Sequence, residues 1–175
     1  MLVDNIYYEQ GKKPGQWVRG RKFGAESKLF GDRGVFGGGV NPSYAYVNSI
    51  DYIPIATPGN ATDFGDLTQT RYTLAATSDG SRGVFGGGNA PPRVNTLDYI
   101  TIATPGNATD FGDLTVNRNG LAATSDGSRG VFGGGIDSST TVNTIDYITI
   151  STPGNAYDFG DLTQDKTDLT ATSGD

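Results

Sequence analysis

The sequence predicts an all-β fold made of three like units, and three observations predict it. First, the phrase Arg-Gly-Val-Phe-Gly-Gly-Gly occurs at Arg33–Gly39, Arg82–Gly88 and Arg129–Gly135, with starts 49 and 47 residues apart. Second, each copy is followed by the same train: Asn-(Ser/Thr)-(Ile/Leu)-Asp-Tyr-Ile, then Thr-Pro-Gly-Asn-Ala, then Asp-Phe-Gly-Asp-Leu-Thr. Third, short apolar runs between turn signals supply four strand candidates per unit. A period of this length marks supersecondary units that stack or arrange radially.

The middle unit shows the elements in order. Thr73–Ser78, small and apolar, is a first strand. Asp79-Gly80 is a strong signal for a tight hairpin turn. Arg82–Gly87 is a second strand that ends in glycines, which allow unusual dihedrals or close backbone approach. Asn95–Ile102 is a third strand with apolar residues on both faces, as suits a sheet covered on both sides. Thr104-Pro-Gly-Asn is a turn, its proline preset for the second position. A fourth strand around Asp110–Thr115 carries Phe111 and Leu114. Four short antiparallel strands per repeat describe a propeller blade.

Ahead of the repeats, residues 1–20 form a separate amino-terminal arm: a strand candidate at Leu2–Tyr8, a loop at Gly11–Gly15, and Trp17, the only tryptophan. Arg21–Asp32 reads as a degraded first strand. Residues 21–175 are the three-repeat domain, with repeats at about 33–78, 79–125 and 126–175.

Three blades fall short of the four to eight that close a propeller. The chain ends on Asp168–Asp175, a first strand with no second strand after it, while Arg33–Gly39 offers a second strand. The expectation is three four-stranded blades per chain, with the ring completed in trans by a second copy. A homodimer is the simplest closure; an open arc or a tube of chains is the alternative.

Composition narrows the chemistry. Histidine and cysteine are absent from the 175 residues, which removes the commonest general base, the commonest metal ligand, thiolate sites and disulfides. Net charge is −6, which argues against nucleic acid as partner. Residues 1–32 hold six basic and four acidic side chains, so a basic arm precedes an acidic body. No apolar run is long enough for a membrane span, and the start lacks a signal-peptide pattern.

The glycine runs invite a phosphate-loop reading, but no Gly-Lys-Ser/Thr and no helix pattern follow. Gly37, Gly38 and Gly39, then Gly86, Gly87 and Gly88, then Gly133, Gly134 and Gly135 are read as structural. Tyr52, Tyr99 and Tyr147 are read as core, and Phe64, Phe111 and Phe159 as structural. The carboxylate pairs Asp63/Asp66, Asp110/Asp113 and Asp158/Asp161 suit turn capping or Ca²⁺. Triplication argues against catalysis, and no catalytic residue, metal site or cofactor is assigned. Arg82 and Asp98 are expected to pair across adjacent strands. Asn60-Ala-Thr62 and Asn107-Ala-Thr109 match the glycosylation pattern but coincide with a repeated turn.

Variation falls in the links between second and third strands: Val40–Val47, Asn89–Val94 and Ile136–Val142, of 8, 6 and 7 residues. Binding specificity is usually placed in such loops on a rigid scaffold. Tyr44, Tyr46, Arg93 and Asp137 are the binding candidates there.

The units resemble kelch repeats. Gly86–Gly88 closes the second strand, Tyr99 lies in the third, Phe111 and Leu114 in the fourth, and Arg118 precedes the next first strand. Phe111 stands where kelch blades carry tryptophan, and the Tyr99-to-Phe111 spacing is longer than usual. The phrases Arg-Gly-Val-Phe-Gly-Gly-Gly, Asn-Thr-Ile-Asp-Tyr-Ile-Thr-Ile and Gly-Asn-Ala-Thr-Asp-Phe-Gly-Asp-Leu-Thr are similar to repeats in virion proteins, often tail fibres, of bacteriophages of marine bacteria. The resemblance spans about residues 21–175. It implies a kelch-like β-propeller in a virion and a non-enzymatic structural and assembly role, with adhesion to a host surface through variable loops. The partners implied are a second copy, other virion proteins or a host-surface glycan. A carbohydrate-binding propeller lectin is the alternative.

Overall fold

The computed structural model describes residues 31–174. The arm at residues 1–20 and nearly all of the degraded first strand lie outside the described residues. Eleven strands follow: β1 (Arg33–Val40), β2 (Tyr46–Pro54), β3 (Thr62–Asp66), β4 (Ala75–Ser78), β5 (Arg82–Gly86), β6 (Thr96–Thr101), β7 (Thr109–Asp113), β8 (Ala122–Ser125), β9 (Arg129–Gly133), β10 (Thr144–Thr149) and β11 (Tyr157–Asp161). They form three antiparallel sheets, ordered β1-β2-β3, β4-β5-β6-β7 and β8-β9-β10-β11. Among the described residues there is no helix, and no paired strands join the first sheet to the third.

Register repeats from sheet to sheet. Val35 faces Tyr52, Val84 faces Tyr99 and Val131 faces Tyr147. A bulge recurs where the third strand meets the fourth, between Ile50/Asp51, Leu97/Asp98 and Ile145/Asp146. The expected hairpin signal operates as local chemistry: Asp79 Oδ1 accepts from the N–H groups of Ser81 and Arg82 at 2.8 and 2.7 Å, and Gly80 supplies φ +87°. Asp126 and Gly127 repeat this turn in the third sheet.

The first sheet shows three strands among the described residues, and the segment expected to supply its fourth, residues 21–32, lies almost wholly outside them. One expectation is corrected. The closing segment, expected as a strand at Asp168–Asp175, is not assigned as one over its described residues. It still follows the path of its equivalents at the start. Thr73, Gly120 and Asp168 all adopt positive φ (52°, 66° and 55°), and Gly120 N donates to Thr73 O as Asp168 N donates to Gly120 O.

The cores lie between sheets. Ile50, Phe64, Leu67, Phe85 and Ile100 fill the space between the first and second sheets. Val84, Leu97, Phe111, Leu114, Phe132 and Ile148 fill the space between the second and third. Among the described residues, the middle sheet carries one of these cores on each face. Strands β4 and β8 run side by side, joined by Thr77 Oγ1 donating to Thr124 O at 3.0 Å and Ser125 Oγ donating to Ser78 O at 2.6 Å. Their small side chains let the sheets converge there.

Candidate functional site: the two ends of the sheet array

One set of contacts joins the first sheet to the second and is made again between the second and third. Its centre is a buried ion pair. Arg71 leaves the link after β3, its carbonyl accepting from Gly39 N at 2.8 Å, and crosses into the second sheet. There its Nη2 meets Asp98 Oδ2 at 2.8 Å, and its Nη1 donates to the carbonyls of Gly87 and Thr96. Thr68 adds a backbone N–H and its hydroxyl to the same carboxylate, at 3.1 and 2.7 Å. Arg118 repeats the arrangement with Asp146 at 2.9 Å, Thr144 O and Phe132 O, and Thr115 takes the place of Thr68. Both ion pairs are 0% exposed on both sides. Burial pushes both guanidinium groups below their ordinary pKa, and the facing carboxylates oppose that shift. The Nε of each arginine has no partner.

This corrects the expected pairing of Arg82 with Asp98. Asp98 belongs to Arg71, and Arg82 instead lies over the Tyr99 ring at 4.5 Å and donates to Ile150 O at 2.8 Å. Arg33 does the same over Tyr52, reaching Ile102 O. Tyr52 and Tyr99, half-buried and packed against the cores, and Tyr147, also half-buried, thus serve as shelves for arginines.

Glycine makes the close approaches possible. A Cβ on Gly87 would sit 2.6 Å from Arg118 O, and Gly87 has φ +64°. A Cβ on Gly37 or Gly86 would sit 2.9 or 2.6 Å from the ring of Phe85 or Phe132 in the next sheet. The outer turns lock as well: Asp66 N donates to Asn107 Oδ1 and Asp113 N to Asn155 Oδ1, each at 3.1 Å. These asparagines serve the joints, and the glycosylation-like motif at Asn107 is part of one.

At the two ends of the array each contact is left half-made. The first sheet carries the receiving groups without their donors. Asp51, the counterpart of Asp98 and Asp146, is exposed, and its carboxylate has no hydrogen bond or ion pair among the described residues. Phe36, the counterpart of Phe85 and Phe132, is 59% exposed, and Ile55 is 63% exposed. The third sheet carries the donors without receivers. A Cβ on Gly133 would meet nothing closer than 3.8 Å, so the slot filled by Phe85 at Gly37 is open here. Gly160 has nothing within 4 Å, where Gly65 and Gly112 touch the next turn. Phe159 is 53% exposed although its counterparts Phe64 and Phe111 are each 3% exposed. Thr163 and Lys166 stand where Thr68 and Arg71 stand, and among the described residues neither has a carboxylate partner.

The variable loops lie together at one end of the sheets, with the links between sheets. Asn41 Oδ1 accepts from Ser43 N and Ala45 N, and this fixes a loop in which Tyr44 is 88% exposed at φ +61°. Tyr46 stacks on Tyr72 with centroids 4.6 Å apart, and Tyr72 raises the Tyr46 pKa by hydrogen bonding. Arg93 Nε donates to Asn119 Oδ1, tying the second loop to the next link. Asp137 caps its own loop, and the Thr140 and Ser139 N–H groups hold its carboxyl below the ordinary value. The structure brings Tyr46 onto Tyr72, and among the described residues the Tyr44 ring stacks on no other ring. A cleft of about 350 Å³ at the opposite end, lined by Tyr99, Thr104, Pro105 and Asn107, is open and shallow.

Among the described residues no group of three or more acidic side chains is placed to hold a metal ion. No helix among them is long and apolar enough to cross a membrane. No family model and no curated protein matches this chain.

Proposed function

We propose that this chain is a non-enzymatic structural building block of the virion type, assembled from copies of itself. The third sheet of one copy docks on the first sheet of the next and repeats the joint already used twice within the chain. Two copies then supply six sheets, enough for a kelch-like β-propeller ring. One observation carries the reading: the contact set is completed twice internally and is split into complementary halves at the two ends. A face that buries Phe85 in one joint and exposes Phe36 at the end leaves apolar area in water unless something covers it. The surface whose shape already fits that face is the end of a second copy. In that joint Phe36 enters the Gly133 slot, and Ile145, Phe159 and Leu162 meet Ile53 and Ile55. The setting in a phage virion comes from the resemblance of the repeat phrases, and the loop end would face outward for adhesion.

The mass of the native particle tests this. Light scattering with sedimentation should give a multiple of the 18.3 kDa chain, two copies for a closed ring. A monodisperse single chain at all concentrations refutes it. The stacked Tyr46 and Tyr72 beside exposed Tyr44 favour a second reading, a carbohydrate-binding propeller, because aromatic faces pack against sugar rings. A glycan array separates the two: reproducible hits lost in Tyr46→Ala support the lectin.

A further inference from the structure

The joint between copies would differ from the internal joints in one group. The third repeat carries Lys166 where the others carry Arg71 and Arg118. Its backbone is seated as theirs is: Lys166 O accepts from Gly135 N at 2.7 Å, as Arg118 O accepts from Gly88 N at 2.9 Å. Lys166 N donates to Val142 O at 3.3 Å, as Arg118 N donates to Val94 O at 3.2 Å. The side chain therefore leaves the fold from the same place, exposed at the array's end.

Resting on the assembly reading, we propose that Lys166 is the cation that enters the Asp51 site of a second copy. Lysine in place of arginine then makes the joint between copies the releasable one. Arg118 reaches Asp146, Thr144 O and Phe132 O together because its donors lie in a planar fork. An ammonium is a point donor on a flexible stem and cannot span a carboxylate and two separated carbonyls at once. The joint keeps its charge match and its apolar lock but loses bonds, and lost bonds appear mainly in the dissociation rate.

The experiment uses the full chain. Labelled and unlabelled particles are mixed and subunit exchange is followed by energy transfer, with native mass measured in parallel. Lys166→Arg should slow exchange about tenfold. Lys166→Met and Asp51→Asn should each weaken assembly roughly 100-fold, because each strands one buried charge. Arg118→Lys, in an internal joint, should lower the melting temperature without speeding exchange. If Asp51→Asn weakens assembly and Lys166→Met does not, the cation comes from elsewhere, such as Arg19, Arg21 or Lys22, and the lysine assignment falls. Particles of multimeric mass whose exchange ignores both Lys166 variants overturn it too and leave the assembly reading standing. A wild-type chain that stays single overturns the assembly reading itself.

Discussion

Removing one carboxylate from an internal joint is the sharpest test of how the sheets are held together. Asp98 is 0% exposed and accepts three hydrogen bonds, from Arg71 Nη2 at 2.8 Å and from Thr68 N and Oγ1 at 3.1 and 2.7 Å. Asp98→Ala leaves the Arg71 guanidinium buried, charged and facing only carbonyls, with Nε already unpaired. Breaking a buried pair in this way costs about 3–5 kcal/mol. Set against a usual total of roughly 5–15 kcal/mol, that is about a fifth of the stability at the least. The melting temperature should fall by about 6–20 °C, at about 2–4 °C per kcal/mol for a chain of this size. Urea unfolding read by far-ultraviolet circular dichroism gives the free energy directly. Asp146→Ala, the same chemistry one joint later, should cost the same within error. The double variant Arg71→Met/Asp98→Leu should recover most of the loss, since a well-packed apolar pair is often neutral or better. A loss below about 1 kcal/mol, the level of a surface pair, would refute the reasoning. So would additive effects at Arg71 and Asp98, which in one network should be coupled.

Other outcomes follow from the same geometry. Gly86→Ala should destabilise the fold by about 1–3 kcal/mol in thermal unfolding, because its Cβ would sit 2.6 Å from the Phe132 ring. Gly133→Ala, at the matching position of the third sheet, has nothing nearer than 3.8 Å and should leave unfolding nearly unchanged while lowering native mass. Phe36→Ala should likewise disperse the particle in light scattering, yet spare secondary structure in circular dichroism. The Asp126 carboxyl is held below the ordinary aspartate value, first by the Arg129 N–H and then by that of Ser128. A depressed folded pKa means its contribution is present above the unfolded value and is lost as pH falls through the folded one. Its midpoint in a nuclear magnetic resonance titration should therefore lie below the usual aspartate value. Asp126→Asn, whose amide oxygen accepts the same bonds, should flatten that part of the acid response.

What was legible in the sequence is what the chain encodes locally. Asp79-Gly80 marks a hairpin because an aspartate oxygen and a left-handed glycine satisfy the turn within four residues. The strand candidates fell within one or two residues of β4 to β7, since turn chemistry bounds them on both sides. The joints were not legible, because their partners lie 27 and 28 residues apart, the arginine in a link and the aspartate in the next sheet. Arg82 was assigned to Asp98 on proximity in one sheet, whereas β5 and β6 place Arg82 opposite Thr101 and Phe85 opposite Asp98. One signal could have found Arg71 and Arg118. Each stands five residues after the second aspartate of Asp-Phe-Gly-Asp, and Lys166 holds that offset in the third repeat. The exposure of Phe36, Asp51 and Phe159 could not be read at all, because identical phrases are buried in the interior units. Position in the array, not residue type, sets their burial.

That dependence on position constrains the assembly. A head-to-tail joint is heterologous, and such joints either close a ring or continue as a filament, according to the rotation each one imposes. On the assembly reading that rotation is not free. The internal joints share their ion pair, their threonine, their glycine slot and their asparagine lock, and like contacts should impose a like angle. A joint between copies built from the same parts inherits it. The symmetry of the particle is then written inside the chain, and a substitution such as Gly112→Ala, which wedges an internal turn against Gly154, should change the number of copies as well as the stability. A particle of unchanged mass from that variant would mean the end joint sets its own angle and shares only its residue types with the interior.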